Sequence, residues 1–347
     1  MQGHIYVYGV GGMGINCVSD IGDDLVNLND SFSKFTLRTI DTTDRTINGY
    51  PELKDTFSII KSTLASVDKI DGMSGERANK QIVGEIKKNV KLYMDEVVKT
   101  YNKHDYHFLI FSGSGGSGNV ISTFLLDEML KKDLTVVPIM VGDSSNLLYT
   151  NNTIKTLTTL YNKATMLDIA LPIAYFDNNY NGNTTPSSEK VINDNIKKML
   201  VIMGIFTSGK VLDLDHQDMN NFFIPSRYKT VSTEPGLYNL TVKAGALQDS
   251  NAFLARTIVL PGTKDLQVEV PLQHNKVGVV TEGENILQHP SIEKDKFPLF
   301  MVIENNVISD RNESLKKRYE ELLSIKNVRS NKITGIDDSE EDDGFVI

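Results

Sequence analysis

Three short stretches carry residues whose types and spacing suit chemistry on a phosphorylated ligand. The first, GVGGMGINCV (9–18), contains Gly9-x-Gly11-x-x-Gly14. That spacing belongs to a strand-to-helix turn that lays backbone N–H groups and a helix N-terminus against a pyrophosphate. The second, SGSGGSGN (112–119), is Gly or Ser at every position from 113 to 118. Side chains this small let the backbone close on phosphate oxygens. The third, LDLDHQDMNNFF (212–223), carries Asp213, Asp215 and Asp218. The last two are three apart and share a face at the start of a helix, where Asp215 would on structural grounds alone be an N-cap.

One glycine turn suits a dinucleotide, with Asp41 at the end of the next strand in place to hold a ribose. An NAD-dependent Rossmann oxidoreductase would also need a catalytic His or Lys in a motif, and none of the six histidines lies in one. Two such turns in one sheet suit the longer phosphate chain of a nucleoside triphosphate. No G-x-x-x-x-G-K-[ST] occurs, so the chain is not a P-loop NTPase. The purely structural alternative makes both loops tight turns and Asp41 a turn residue capping the next segment.

The elements that must position these loops follow from periodicity. Residues 4–8, 35–44, 107–112, 134–142 and 171–177 read as strands, and helical patterns alternate with them. The alternation predicts a parallel, doubly wound sheet. Between Glu189 and Phe206 the apolar residues wrap most of the way around a helix, which predicts a buried core helix. Asn193 interrupts it, and an amide inside an apolar helix needs a polar partner. From 226 to 308 strand-like runs separated by Gly, Pro and Asn predict a smaller α/β domain with its own sheet. An amphipathic helix at 310–328 then leads to the acidic end DDSEEDDGFVI.

Charge and composition exclude several classes. The net charge is −9, and the last eleven residues carry six acids, leaving −3 on the remaining 336. A nearly neutral body predicts no direct nucleic-acid binding. No apolar run approaches membrane-span length, and the N-terminus lacks the pattern of a secretory signal. The single cysteine, Cys17, excludes an internal disulfide framework and a cysteine zinc site, so a reducing cytoplasmic setting is expected.

Taken together, the two loops resemble those of the tubulin/FtsZ superfamily. GVGGMGINCV is similar to its first nucleotide loop, and SGGSGNV (114–120) to its G-G-G-T-G-S-G signature, with Ser114, Ser117 and Asn119 as departures. The resemblance runs through most of the chain. IDTTD (40–44), LPIAYF (171–176), VINDN (191–195), LDHQD (214–218) and EEDDGFVI point within it to phage-encoded tubulins of the PhuZ group. It implies an α/β, tubulin/FtsZ-like fold: a parallel Rossmann-like GTPase sheet, a central core helix, a smaller α/β C-terminal domain, a C-terminal helix and an acidic tail. The matching divisions are a GTP-binding domain at 1–186, the central helix and acidic loop at 187–224, the C-terminal domain at 225–308, and the helix and tail at 309–347.

The same resemblance implies GTP/GDP and Mg²⁺ as ligands. Gly11, Gly12, Met13 and Gly14 would supply backbone contacts, and Asn16 a guanine contact. Ser114, Gly115, Gly116, Ser117, Gly118 and Asn119 would cradle the phosphates. Asp41 and Thr42 would lie near the phosphates or Mg²⁺, and Asn193 would read the base. Glu189 replaces the aromatic that often stacks on it, leaving Tyr175 or Tyr180 for stacking. GMSGERAN (72–79) falls at the family's glycine-rich γ-phosphate loop but has lost most of its glycines. Asp215 and Asp218 match the acidic N-x-D-x-x-D loop that completes hydrolysis in the neighbouring subunit of a filament; Asp213 stands in place of its Asn.

The implied function is a GTP-dependent filament that positions phage DNA or the replication compartment in the cytoplasm of an infected bacterium, with a capsid or DNA complex as cargo and no membrane partner. A TubZ-like DNA-partitioning filament is the alternative within the class. The acidic tail, 337–347, would dock on the neighbouring subunit, with Lys316, Lys317, Arg318, Lys326 and Arg329 as candidate partners for its acids; otherwise it is a solubilising segment.

Overall fold

The computed structural model describes residues 4–28, 33–61, 80–178, 186–208, 216–224, 234–244, 255–260, 274–279, 299–304 and 307–334. Strands β1 (Ile5–Val10), β2 (Phe35–Asp41), β3 (Phe57–Ile59), β4 (Tyr106–Ser112), β5 (Thr135–Gly142) and β6 (Ala170–Asp177) alternate with helices. These are α1 (Gly11–Val26), α2 (Lys80–Val97), α3 (Ser117–Lys131) and α4 (Leu147–Met166). All six strands pair in parallel, in the order β3-β2-β1-β4-β5-β6. The period-2 pattern of β1 explains the layers: Ile5 and Val7 enter one apolar core, Tyr6, Tyr8 and Val10 the other. Helices cover both faces, as parallel strands require.

Helix α5 (Pro186–Phe206) is the expected core helix. Ile196, Leu200, Val201, Met203 and Ile205 are fully buried, whereas Val191 near its start is exposed. It packs on the α1 face of the sheet and leads to α6 (His216–Phe223).

Strands β7 (Gly236–Ala244), β8 (Ala255–Leu260), β9 (His274–Val279) and β10 (Leu299–Glu304) follow. Here the structure corrects the expectation of a separate sheet. Ala170–Ile173 of β6 pair in parallel with Gly236–Asn239 of β7, so one ten-stranded sheet continues β6-β7-β10-β8-β9. The physical reason is the outer edge of β6, whose unpaired N–H and C=O groups β7 satisfies. The run 266–272 lies outside the described residues.

Helix α7 (Val307–Thr334) packs on α4 and β7 and buries Ile308 and Leu315. Among the described residues no helix is long and apolar enough to cross a membrane.

Candidate nucleotide site

The strand order reverses between β1 and β4. In an open α/β sheet the crevice beyond the carboxyl ends of the strands at such a point is where ligands bind. Both glycine loops open there, from β1 into α1 and from β4 into α3. They also touch each other. Gly11 has φ +70°, and a Cβ placed on it would lie 2.6 Å from the Gly118 Cα. The two turns therefore meet, with the N-termini of α1 and α3 side by side.

Neither N-terminus is closed by a side chain. The N-cap positions, Val10 and Gly116, make no capping bond, and neither first turn holds an acid. Helix α4 differs, since Asn146 caps it by accepting from the Tyr149 N–H at 2.9 Å. Orphan N–H groups and the positive ends of two helix dipoles converge on the crevice, an arrangement suited to a polyphosphate.

Side chains beneath the second loop hold its shape. Asn119 donates to the Gly115 carbonyl at 2.8 Å and the Gly113 carbonyl at 3.3 Å. Asn152 donates to the Ser114 carbonyl at 3.0 Å, and Thr156 to that of Gly113 at 2.9 Å. Asn119 thus pins the loop from below with a buried side chain, leaving its backbone N–H as its means of meeting a phosphate. Ser112 Oγ accepts from the N–H groups of Ser114 and Gly115, both at 3.2 Å. Ser112, Asn152 and Thr156 were not anticipated. The signal that could have found the last two is the polar run NNTIKT, too polar for an ordinary buried helix.

Asp41 ends β2 beside the cradle and is buried. Its Oδ1 accepts from the Thr42 N–H at 2.7 Å and from Ser117 Oγ at 3.0 Å, tying β2 to the second loop. Burial pushes this carboxyl above its usual range; the hydrogen bonds from Thr42 and Ser117 oppose that shift without cancelling it. The folded chain therefore holds the Asp41 proton more tightly than the unfolded chain does. This group's contribution to stability is present below the ordinary carboxylate range and is lost as pH rises through the raised value. Asp41→Asn should then raise the melting temperature of the nucleotide-free protein at pH 7, with a smaller gain at pH 4. The same change should remove about tenfold or more of any Mg²⁺-dependent gain in nucleotide affinity. Melting curves at both pH values and titrations with Mg²⁺ or EDTA measure the two effects.

Residues fit the cation in a limited way. Mg²⁺ keeps water and phosphate ligands and needs one or two carboxylates. The described residues contain no group of three His, Cys, Asp or Glu side chains that could cage a metal. Among the described residues Asp41, with the Thr42 hydroxyl beside it, is a carboxylate at the cradle.

The other expected site residues fall in two places. Gly12 lies under the Thr46 hydroxyl, Met13 turns its side chain into the core, and Gly14 seats α1 against the backbone of β1 and β4. Asn16 accepts from the Tyr50 hydroxyl at 3.1 Å, and Asn193 donates to Asp20 at 3.0 Å. Asn16 and Asn193 thus share the seam between α1 and α5; Tyr50 and Asp20 were not anticipated there. Tyr175 is on the other face of the sheet, packed in the second core with the Arg311 guanidinium 5.8 Å from its ring centre. It is not a base-stacking ring, because its β6 position alternates away from the α5 face. Cys17 is buried, as expected for a small apolar residue, and burial holds its thiol in the neutral form. Tyr180, loop 72–79, Asp213, Asp215 and the tail 337–347 lie outside the described residues.

Asp218 lies far from all of this. It sits in the first turn of α6. That helix is anchored by Asn220, which accepts from Thr135 at 3.1 Å, and by Phe223 against Tyr106 and Phe108. Tyr106 and Thr135 begin β4 and β5, whereas the cradle is built where β4 ends. A seven-residue strand spans roughly 20 Å, so one chain does not bring Asp218 to its own cradle. On α7, Lys316 pairs with Glu313 at 2.7 Å and Arg318 with Glu321 at 3.1 Å. Two of the cations considered for the tail are engaged within their own helix.

Comparison with known proteins agrees with this architecture. No family model matches the sequence. A phage tubulin-like protein of Pseudomonas phage PhiPA3 is 24% identical over 255 residues, covering 72% of this chain and 76% of that protein. Among solved structures, the PhuZ201 filament superposes with a TM-score of 0.71 at 19% identity, over 99% of this chain and 97% of that one. The phage tubulin PhuZ with GDP gives 0.69 at 16% identity, over 99% and 97%.

Proposed function

We propose that this chain, tubulin-like in fold and similar in sequence to phage tubulins, is a GTPase that works as a polymer. GTP binds in the cradle of Gly11, Gly12, Gly14 and the backbone from Ser114 to Asn119, with Asn16 and Asn193 at the base. Asp41, directly or through water, would hold Mg²⁺ at the phosphates, and the ion would supply charge neutralisation. The acidic loop of the next subunit, Asp215 and Asp218, positions a water for attack on the γ-phosphorus, releasing phosphate and leaving GDP. Phosphoryl transfer of this kind needs placement and charge compensation more than covalent participation by the protein.

The observation that carries this reading is the separation of Asp218 from the cradle. A head-to-tail contact puts the start of the sheet of one subunit over the cradle of the next, and such a contact repeated makes a filament. The filament would position phage DNA, a capsid or a replication compartment in the cytoplasm of the host bacterium, with 337–347 docking on the neighbouring subunit.

One experiment tests the reading. GTP turnover per subunit, measured across protein concentration alongside sedimentation, is expected to rise steeply where pelleting begins. A chain ended at residue 336 should bind GTP while neither pelleting nor turning over. Equal turnover per subunit in dilute monomer and in pellet would overturn the proposal.

A further inference from the structure

The seam between α1 and α5 has a hydrogen-bond polarity with a consequence for the base. Asn16, Asp20 and Asp24 recur every four residues and so form one row on α1. Asn193 and Lys197 form the facing row on α5. Lys197 pairs with Asp24 at 2.9 Å, which closes the lower part of the seam. Asp20, one turn nearer the cradle, is bridged by no lysine among the described residues. Its Oδ2 accepts from the Asn193 amide at 3.0 Å, and the residue is otherwise exposed.

An amide alone does not choose between purines, because its donor and acceptor can exchange by rotation. Here Asp20 removes the choice at Asn193. Donation to Asp20 fixes Asn193 with its Nδ2 toward the carboxylate, leaving Oδ1 as an acceptor. Asn16 accepts from the Tyr50 hydroxyl through Oδ1, with its NH₂ left as a donor. A carboxylate offers acceptors only.

The open end of the seam therefore presents acceptors from Asp20 and Asn193, and a donor from Asn16. Guanine carries two adjacent donors, N1–H and the N2 amino group, beside the acceptor O6. Adenine carries an acceptor at N1 and no amino group at C2. Burial first, and then the nearby charges of Asp20 and Glu189, push the Cys17 thiol up.

We infer that Asp20 is the specificity-determining residue of the base site, accepting from guanine N1–H and N2–H while Asn193 holds its carboxylate in place. The inference rests on the GTP reading above and adds the residue that makes the nucleotide a guanine one. The rejection of adenine follows from lone pair facing lone pair, since a polar site discriminates most strongly when its groups are left unpaired by the wrong ligand.

The test is equilibrium binding of GTP, ITP, XTP and ATP to dilute wild-type protein and to Asp20→Asn. ITP lacks the N2 amino group, and XTP carries a carbonyl at C2 that an amide N–H can meet. Wild type is expected to bind GTP about tenfold or more tighter than ITP, and to bind ATP far more weakly. Asp20→Asn should lose about 100-fold for GTP, lose the GTP-over-ITP preference, and gain for XTP. These ratios, taken within one sample, do not depend on the folded fraction. An Asp20→Asn chain with the wild-type GTP:ITP:XTP ratios would overturn the inference and leave the GTPase reading intact. A wild-type chain that binds none of the four would overturn the GTPase reading itself.

Discussion

Gly11→Ala is expected to abolish nucleotide binding, with at least a 100-fold loss of GTP affinity. Two effects add. At φ +70° an alanine pays roughly 1–2 kcal/mol for the left-handed conformation. In addition its Cβ would stand 2.6 Å from the Gly118 Cα and 3.0 Å from the Gly118 N. Both obstacles are backbone atoms, so relief requires the β1–α1 and β4–α3 turns to move apart, and one ligand could no longer engage both. Gly49→Ala is the matched control, because nothing lies within 4 Å of a Cβ there. Its melting temperature and affinity should match wild type. Titration with a fluorescent GTP analogue reads both variants. A Gly11→Ala protein within threefold of wild type would show that the loops do not share one phosphate chain.

Asp218→Asn is expected to bind GTP and assemble as wild type does, yet to hydrolyse about 100-fold or more slowly in the polymer. The stronger form of the test is complementation. Asp218→Asn retains an intact cradle, and Gly11→Ala retains an intact acidic loop. Neither should turn over GTP alone. Mixtures should recover part of the activity, because a Gly11→Ala subunit, though it seats no GTP itself, can place its acidic loop over the filled cradle of an Asp218→Asn subunit at a filament end. The recovery should follow the mixing ratio and disappear below the assembly concentration. Hydrolysis confined to single chains would leave the mixture as inactive as its components. Phosphate release measured across mixing ratios distinguishes the two.

Much of the fold was legible because it depends on local patterns. The glycine turns sit between a strand and a helix, and parallel strands buried on both faces leave long apolar runs such as HFLIF and TVVPIMV. The buried α5 followed from its nearly continuous apolar surface, and its exposed exception, Val191, lies in the second turn, beside the exposed Glu189 and Lys190. The joining of β6 to β7 was not legible, because an edge strand does not encode its neighbour. The pairing is made by backbone groups that every sequence shares.

At the site the division is similar. The residue types and spacing of 9–18 and 112–119 already suited a phosphate cradle, because small residues before a helix let the backbone close on an anion. Asn193 already stood out as an amide in an apolar helix. What those residues do to one another was decided by packing. Asn119 is a brace beneath the loop, Asp41 is tied to Ser117, and Asn193 is turned by Asp20.

The amino-acid sequence alone determined the parallel architecture, the two glycine-rich strand-to-helix turns and the acidic stretch, since each arises from neighbours along the chain. Only the tertiary structure decided that Gly11 and Gly118 touch, that Asp20 faces Asn193 across a helix seam, and that Asp218 stands a strand's length from the cradle. Those are relations between residues 107, 173 and about 100–200 positions apart, and such contacts are set by how helices seat on a sheet, which no local pattern contains.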